Sequence, residues 1–208
     1  GRGSKTRFLR KSEIYAAAGA FWWDFVNWSS DGSADNYVVP VEMQTNPGEL
    51  YMLSTKNGGS DVLTFRSFTN TDFNPGAPTL TETRVLNVAA YTAPPDAAQP
   101  EGVQALDTVD SRLNNAQYRL GKIWAANTTS VGSGATLRAA IQMYEVDTYS
   151  NPVSIGRQTT LSGASSHYFY PAIAGNEDGD AFITFMQSST TDYPTMRMVG
   201  WPAGSPTD

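Results

Sequence analysis

Three times along this chain an alternating strand meets a glycine turn and leaves as a strand that is apolar on both faces. Tyr37–Met43 turns through Asn46-Pro47-Gly48 into Leu50–Thr55; Ala116–Arg119 turns through Leu120-Gly121 into Ile123–Thr128; Tyr170–Ala174 turns through Asn176-Glu177-Asp178-Gly179 into Ala181–Met186. Glycine accepts positive φ at little cost, so Pro-Gly and Asp-Gly mark tight hairpins. A strand that is greasy on both faces must be covered on both faces. Blades stacked face to face in a ring provide that cover.

A third strand follows each hairpin, at Val62–Phe68, Ala139–Val146 and Thr195–Trp201. A more polar fourth is readable at Leu80–Leu86 and Ile155–Leu161. Polar, alternating outer strands suit the exposed edge of a blade. The expectation is an all-β chain, a β-propeller of about three to four four-stranded antiparallel blades. The blades fall at 1–20 (partial), 21–90, 110–163 and 167–208 (partial). A closed ring needs at least about four blades, so the chain reads as a sector of a larger propeller, completed by further polypeptide or other chains. The marker glycines lie further apart than the roughly 40 to 50 residues a blade needs. Long loops account for the excess, among them the proline-rich Tyr91–Pro100, and an ordinary β-sandwich remains the alternative. Ser12 is placed to cap a short helix over Glu13–Ala18, stopped by Gly19.

Composition agrees. The 208 residues include 18 Gly and 12 Pro, while charged residues are sparse, which fits many short strands and leaves little for a helical bundle. A net charge of −6 argues against nucleic-acid binding, which needs a basic face. The one basic run, Arg2 to Lys11, fits a solubilising edge strand. With no Cys, neither a disulfide nor a thiolate metal site exists. No apolar run approaches the 18 residues of a membrane span.

Asp110–Leu113 followed by Tyr118–Thr128 resembles a family of uncharacterised secreted bacterial β-propellers. Tyr170–Ile173, Asp178-Gly179-Asp180, Tyr193-Pro194-Thr195 and the opening Thr6–Ser12 are similar to it as well. The resemblance implies a secreted or cell-surface propeller and brings no established activity. The family often carries His where this chain has Asn127, and it runs on past Asp208.

Four candidate sites follow. Asp107, Asp110 and Arg112 could serve glycosidase-type acid–base work if they faced a propeller's axial funnel; the duller reading is an Asp–Arg pair fixing a loop. Asn176, Asp178 and Asp180 offer hard oxygen ligands for calcium, the one cofactor considered, or else a structural turn like a degenerate sialidase-type Asp-box hairpin. His167, the only histidine, cannot build a multi-histidine metal site and reads as a polar loop residue. Trp22, Trp23 and Trp28, in Phe21–Trp28, either seal one blade against the next or stack on sugar rings or a protein partner. The function expected is an extracellular binding or structural module without catalysis. A carbohydrate-active hydrolase or lyase and a scaffold subunit of a larger assembly stand as alternatives.

Overall fold

The structure, a computed structural model, describes residues 4–16, 19, 21–26, 28, 35, 37–56, 58–73 and 76–205. The chain is mostly β, with one short helix and four antiparallel or mixed sheets. In chain order the elements are β1 (Thr6–Leu9), α1 (Lys11–Tyr15), β2 (Trp22–Phe25), β3 (Tyr37–Pro40), β4 (Glu42–Met43), β5 (Leu50–Thr55), β6 (Gly59–Thr69) and β7 (Thr79–Thr92). Then come β8 (Leu113–Arg119), β9 (Lys122–Val131), β10 (Arg138–Asp147), β11 (Ser154–Leu161), β12 (His167–Gly175), β13 (Ala181–Ser188) and β14 (Thr195–Trp201). Short 3-10 turns occupy Pro100–Gly102 and Gly134–Thr136.

β1 and β2 pair as a ribbon; β3-β5-β6-β7, β8-β9-β10-β11 and β12-β13-β14 are antiparallel meanders. These pack in series, each on its neighbours, because alternate residues of one strand feed two different cores. On β9, Ile123 and Ala125 join Tyr51, Leu53, Leu63 and Phe65 of the first meander. Trp124 and Ala126 point the other way and join Ile173, Ile183, Phe185 and Trp201 of the third. A third core holds Phe8, Trp28, Met52 and Phe68, and so joins the ribbon to the first meander. The leading strands approach one another, β3 against β8 and β8 against β12.

Bulges decide which face a side chain serves. Thr81 is an extra residue opposite the Ser67–Phe68 step, so Leu80 packs with Phe68 while Leu86 packs with Leu63 in the next core. Gly156 is extra opposite Glu145–Val146, which puts Ile155 beside Val146 and swings Arg157 to Glu145, toward the third meander.

Several expectations change. Tyr37–Met43 is two strands: Pro40 has no N–H to extend the ladder. β3 pairs with β5, whereas β4 crosses to pair with β8 in parallel, which makes that sheet mixed. Trp22–Phe25 pairs with β1 and not with the first meander. The helix begins at Lys11, with Arg10 at the N-cap position and no side-chain cap, so Ser12 lies inside it. Ala17 and Ala18, the end of the expected helix, lie outside the described residues. β7 runs on to Thr92, and the proline-rich loop beyond it is pinned by an Ala97–Leu106 bridge.

Candidate functional site

Burial splits the aromatic stretch in two. Phe25 stacks on Trp28 with ring centroids 5.6 Å apart, and Trp28 is buried, its indole N–H donating to Thr6 Oγ1 at 3.0 Å. The Arg66 guanidinium lies 4.5 Å from the Trp28 ring and is itself bonded to buried Asp35. Trp28 is therefore held in the core. Phe21, Trp22 and Trp23 are not: Trp22 is 56% exposed and Trp23 49%. Together with Arg10, Phe73, Gly76 and Ala77 they line a cleft of about 350 Å³.

The cleft is held from behind. Arg10 donates to Glu13 at 2.9 Å and to the Phe73 carbonyl at 3.2 Å, and it lies 5.6 Å from the Phe73 ring. The other Glu13 oxygen accepts from the Phe21 backbone N–H at 2.8 Å. Trp22 is backed by Arg7, 5.0 Å from its ring. Arg7 in turn grips Asp24 through two hydrogen bonds of 2.7 and 2.9 Å, and Lys5 adds a third contact at 2.8 Å. These cations, Arg7 foremost, hold the Asp24 carboxyl well below the usual carboxylate range. The result is a fixed wall of aromatic rings with one guanidinium at its edge.

The acidic cluster is built differently. Asp110 receives two hydrogen bonds from the Arg112 side chain, at 2.8 and 2.7 Å, and one from the Arg112 backbone at 2.9 Å. Arg112 covers the Tyr37 ring at 4.5 Å. The Arg112 hydrogen bonds keep Asp110 below its ordinary pKa, the opposite of what a general acid needs. Asp107 accepts from the Val109 N–H at 2.7 Å, and its carbonyl accepts from the Tyr170 hydroxyl at 2.7 Å. Both carboxylates close loop turns. Arg112 also borders a cleft of about 380 Å³ with Lys5 and Tyr37, and neither aspartate is among the residues that line it.

At the third hairpin, Asn176 Oδ1 accepts the N–H groups of Asp178 and Asp180 at 3.0 and 2.9 Å, and Asp180 Oδ1 accepts from Ala203 N–H at 2.7 Å. Oxygens faced by N–H donors are turned away from a cation. Among the described residues no group of three or more His, Asp or Glu side chains is placed to hold a metal ion. His167 opens β12, and its Nδ1 accepts the Ala139 N–H at 3.2 Å. Burial, and then Arg138, lower its pKa. Asn127 is buried, accepting from the Tyr144 hydroxyl at 2.9 Å and donating to the Ser111 carbonyl.

Two ion clusters around buried carboxylates had no sequence signal. Asp35 meets Lys56 and Arg66, and Glu145 meets Lys122 and Arg157. Their members come from different strands or loops, so only the fold brings them together. No family model, curated protein or solved structure matches this chain.

Proposed function

We propose that the chain is a sector of a β-propeller that works outside the cytoplasm as a carbohydrate-binding module, with the Phe21–Trp22–Trp23 cleft as its binding surface. One observation carries this reading: three consecutive aromatic residues stand exposed around a cleft while Phe25 and Trp28, a few positions on, are fixed in the core. Leaving such rings in water forgoes the stabilisation that their burial would bring. Flat indole faces recover it by stacking on the C–H faces of sugar rings, and Arg10 at the edge can donate to ring hydroxyls or to an acidic sugar's carboxylate.

The propeller reading is supported by meanders that pack in series and by leading strands that approach one another. A site outside the cytoplasm rests on the resemblance of Tyr118–Thr128 and its companion motifs to secreted propellers.

The test is a glycan array probed with the purified chain, with Trp22→Ala and Trp23→Ala beside it and Tyr193→Ala as an exposed aromatic control. Binding by the wild type and by Tyr193→Ala, with loss in both tryptophan variants, is the expected result. Silence of the wild type across a broad array, or retention in both tryptophan variants, overturns the reading.

A further inference from the structure

Among the described residues a single ionised side chain lines the aromatic cleft, and it is a cation. Arg10 reaches the lining beside Trp22, Trp23 and Phe73, whereas its partner Glu13 does not. A guanidinium carries five N–H groups and no acceptor. Glu13 and the Phe73 carbonyl each take one, from different terminal nitrogens, and Nε is buried. One N–H on each terminal nitrogen is left for a ligand. A planar fork with a donor on each arm matches the two oxygens of a carboxylate.

Strained backbone keeps that fork in place. Phe73 has φ +61°, a left-handed conformation that bulky residues rarely adopt. In it the Phe73 carbonyl accepts from Arg10 Nη2 at 3.2 Å, and the ring lies 5.6 Å from the guanidinium. Asn70, left-handed as well at φ +55°, accepts the Phe73 N–H with its carbonyl at 3.1 Å and donates from its side chain to the Ala77 carbonyl at 2.8 Å. Such strain persists where the surroundings over-determine it, and it clusters at sites that clamp a ligand.

Charge around the cleft leans the same way. Lys5, Arg7, Arg10 and Lys11 on β1 and α1 stand against Glu13 and Asp24, a surplus of two (4 − 2), which Asp72 in the β6–β7 turn lowers to one. The whole chain carries −6. Glu13 is fixed on its own side, since its second oxygen holds the Phe21 N–H at 2.8 Å.

We propose, resting on the sugar-binding reading, that the sugar this cleft takes is an acidic one, with its carboxylate on Arg10 and its ring face on the indoles. A neutral sugar offers the fork only hydroxyls, whose hydrogen bonds lack the attraction between charges that a carboxylate adds.

Calorimetric titration of the full chain with uronate oligomers of glucose, galactose and mannose configuration, and with their methyl esters, tests this. The ester keeps the sugar ring and removes the charge. The expected result is an acid form that binds about tenfold or more tightly than its ester at low salt. That gap should narrow in about 1 M salt, where charges are screened within about 3 Å. It should vanish in Arg10→Gln with ester binding retained, and Arg10→Lys, which keeps the charge and loses the fork, should fall between. Esters or neutral oligomers bound as tightly as the acids, or an acid preference that survives Arg10→Gln, would overturn the proposal and leave the sugar-binding reading standing. Silence toward every acidic and neutral sugar would sink both. The acid–ester comparison uses the wild type alone, so it decides the matter even where Arg10→Gln disturbs the cleft that Arg10 braces.

Discussion

The Arg157 guanidinium lies 4.2 Å from the centre of the Trp201 ring while its nitrogens bond Glu145 at 2.7 Å and the Gly179 carbonyl at 2.7 Å. One side chain on the outer strand of the second meander thereby ties down the turn and the last strand of the third. Glu145 is buried and pairs with both Arg157 and Lys122. Arg157→Ala leaves the buried carboxylate with Lys122 alone and is expected to cost about 3 kcal/mol, in the range for breaking a buried pair. Urea unfolding checks it; a loss under about 0.5 kcal/mol, as at ordinary surface positions, would mean that the contact carries no weight.

Gly175 at the end of β12 has ordinary backbone angles for any residue, yet a Cβ there would run into the Trp124 ring. Gly175→Ala is expected to destabilise by about 1–3 kcal/mol through overpacking. Adding Trp124→Leu, which makes room, should recover part of that loss, so the two changes are non-additive.

His167 gives a pH signature. Its folded pKa is depressed, by burial first and then by Arg138, and its Nδ1 must stay unprotonated to accept the Ala139 N–H. The unfolded histidine titrates near about 6.5. Between that value and the lower folded one, the unfolded chain takes up the proton first. Stability therefore falls as pH falls through this window, by at most about 1.4 kcal/mol per pH unit, and levels off for this group below it. Chemical unfolding across pH 4–8 should show that component in the wild type and not in His167→Gln.

The strands and glycine turns were legible because they obey local rules: a period of two, and Gly where φ turns positive at residues 48, 121 and 179. Trp22, Trp23 and Trp28 looked alike in sequence. Only the pairing of β2 with β1 and the third core separate exposed rings from the buried one. The parallel β4–β8 pairing and the face switches at Thr81 and Gly156 were hidden as well, since pairing partners and bulges depend on distant strands. Asp107 and Asp110 were found as a cluster, but their hydrogen bonds to adjacent backbone could not be read from spacing.

Asn176 gives a further test. Its Oδ1 receives two backbone N–H groups that close the third hairpin. Asn176→Ala should cost about 1–2 kcal/mol by leaving those donors without their acceptor. Millimolar calcium should leave the melting temperature of the wild type unchanged; a clear rise would show that the turn binds the ion after all.

Central to the whole account is that the meanders pack in series, with separate cores on either side of the second. Double-mutant cycles on stability measure this directly. Tyr51 and Tyr118, whose rings meet at 5.2 Å across one junction, should couple by about 0.5 kcal/mol or more, as should Arg157 and Trp201 across the other. Tyr51 and Trp201, in different cores, should be additive within about 0.5 kcal/mol. Strong coupling between Tyr51 and Trp201, at the level of the two contact pairs, would mean one shared core and would contradict the serial arrangement.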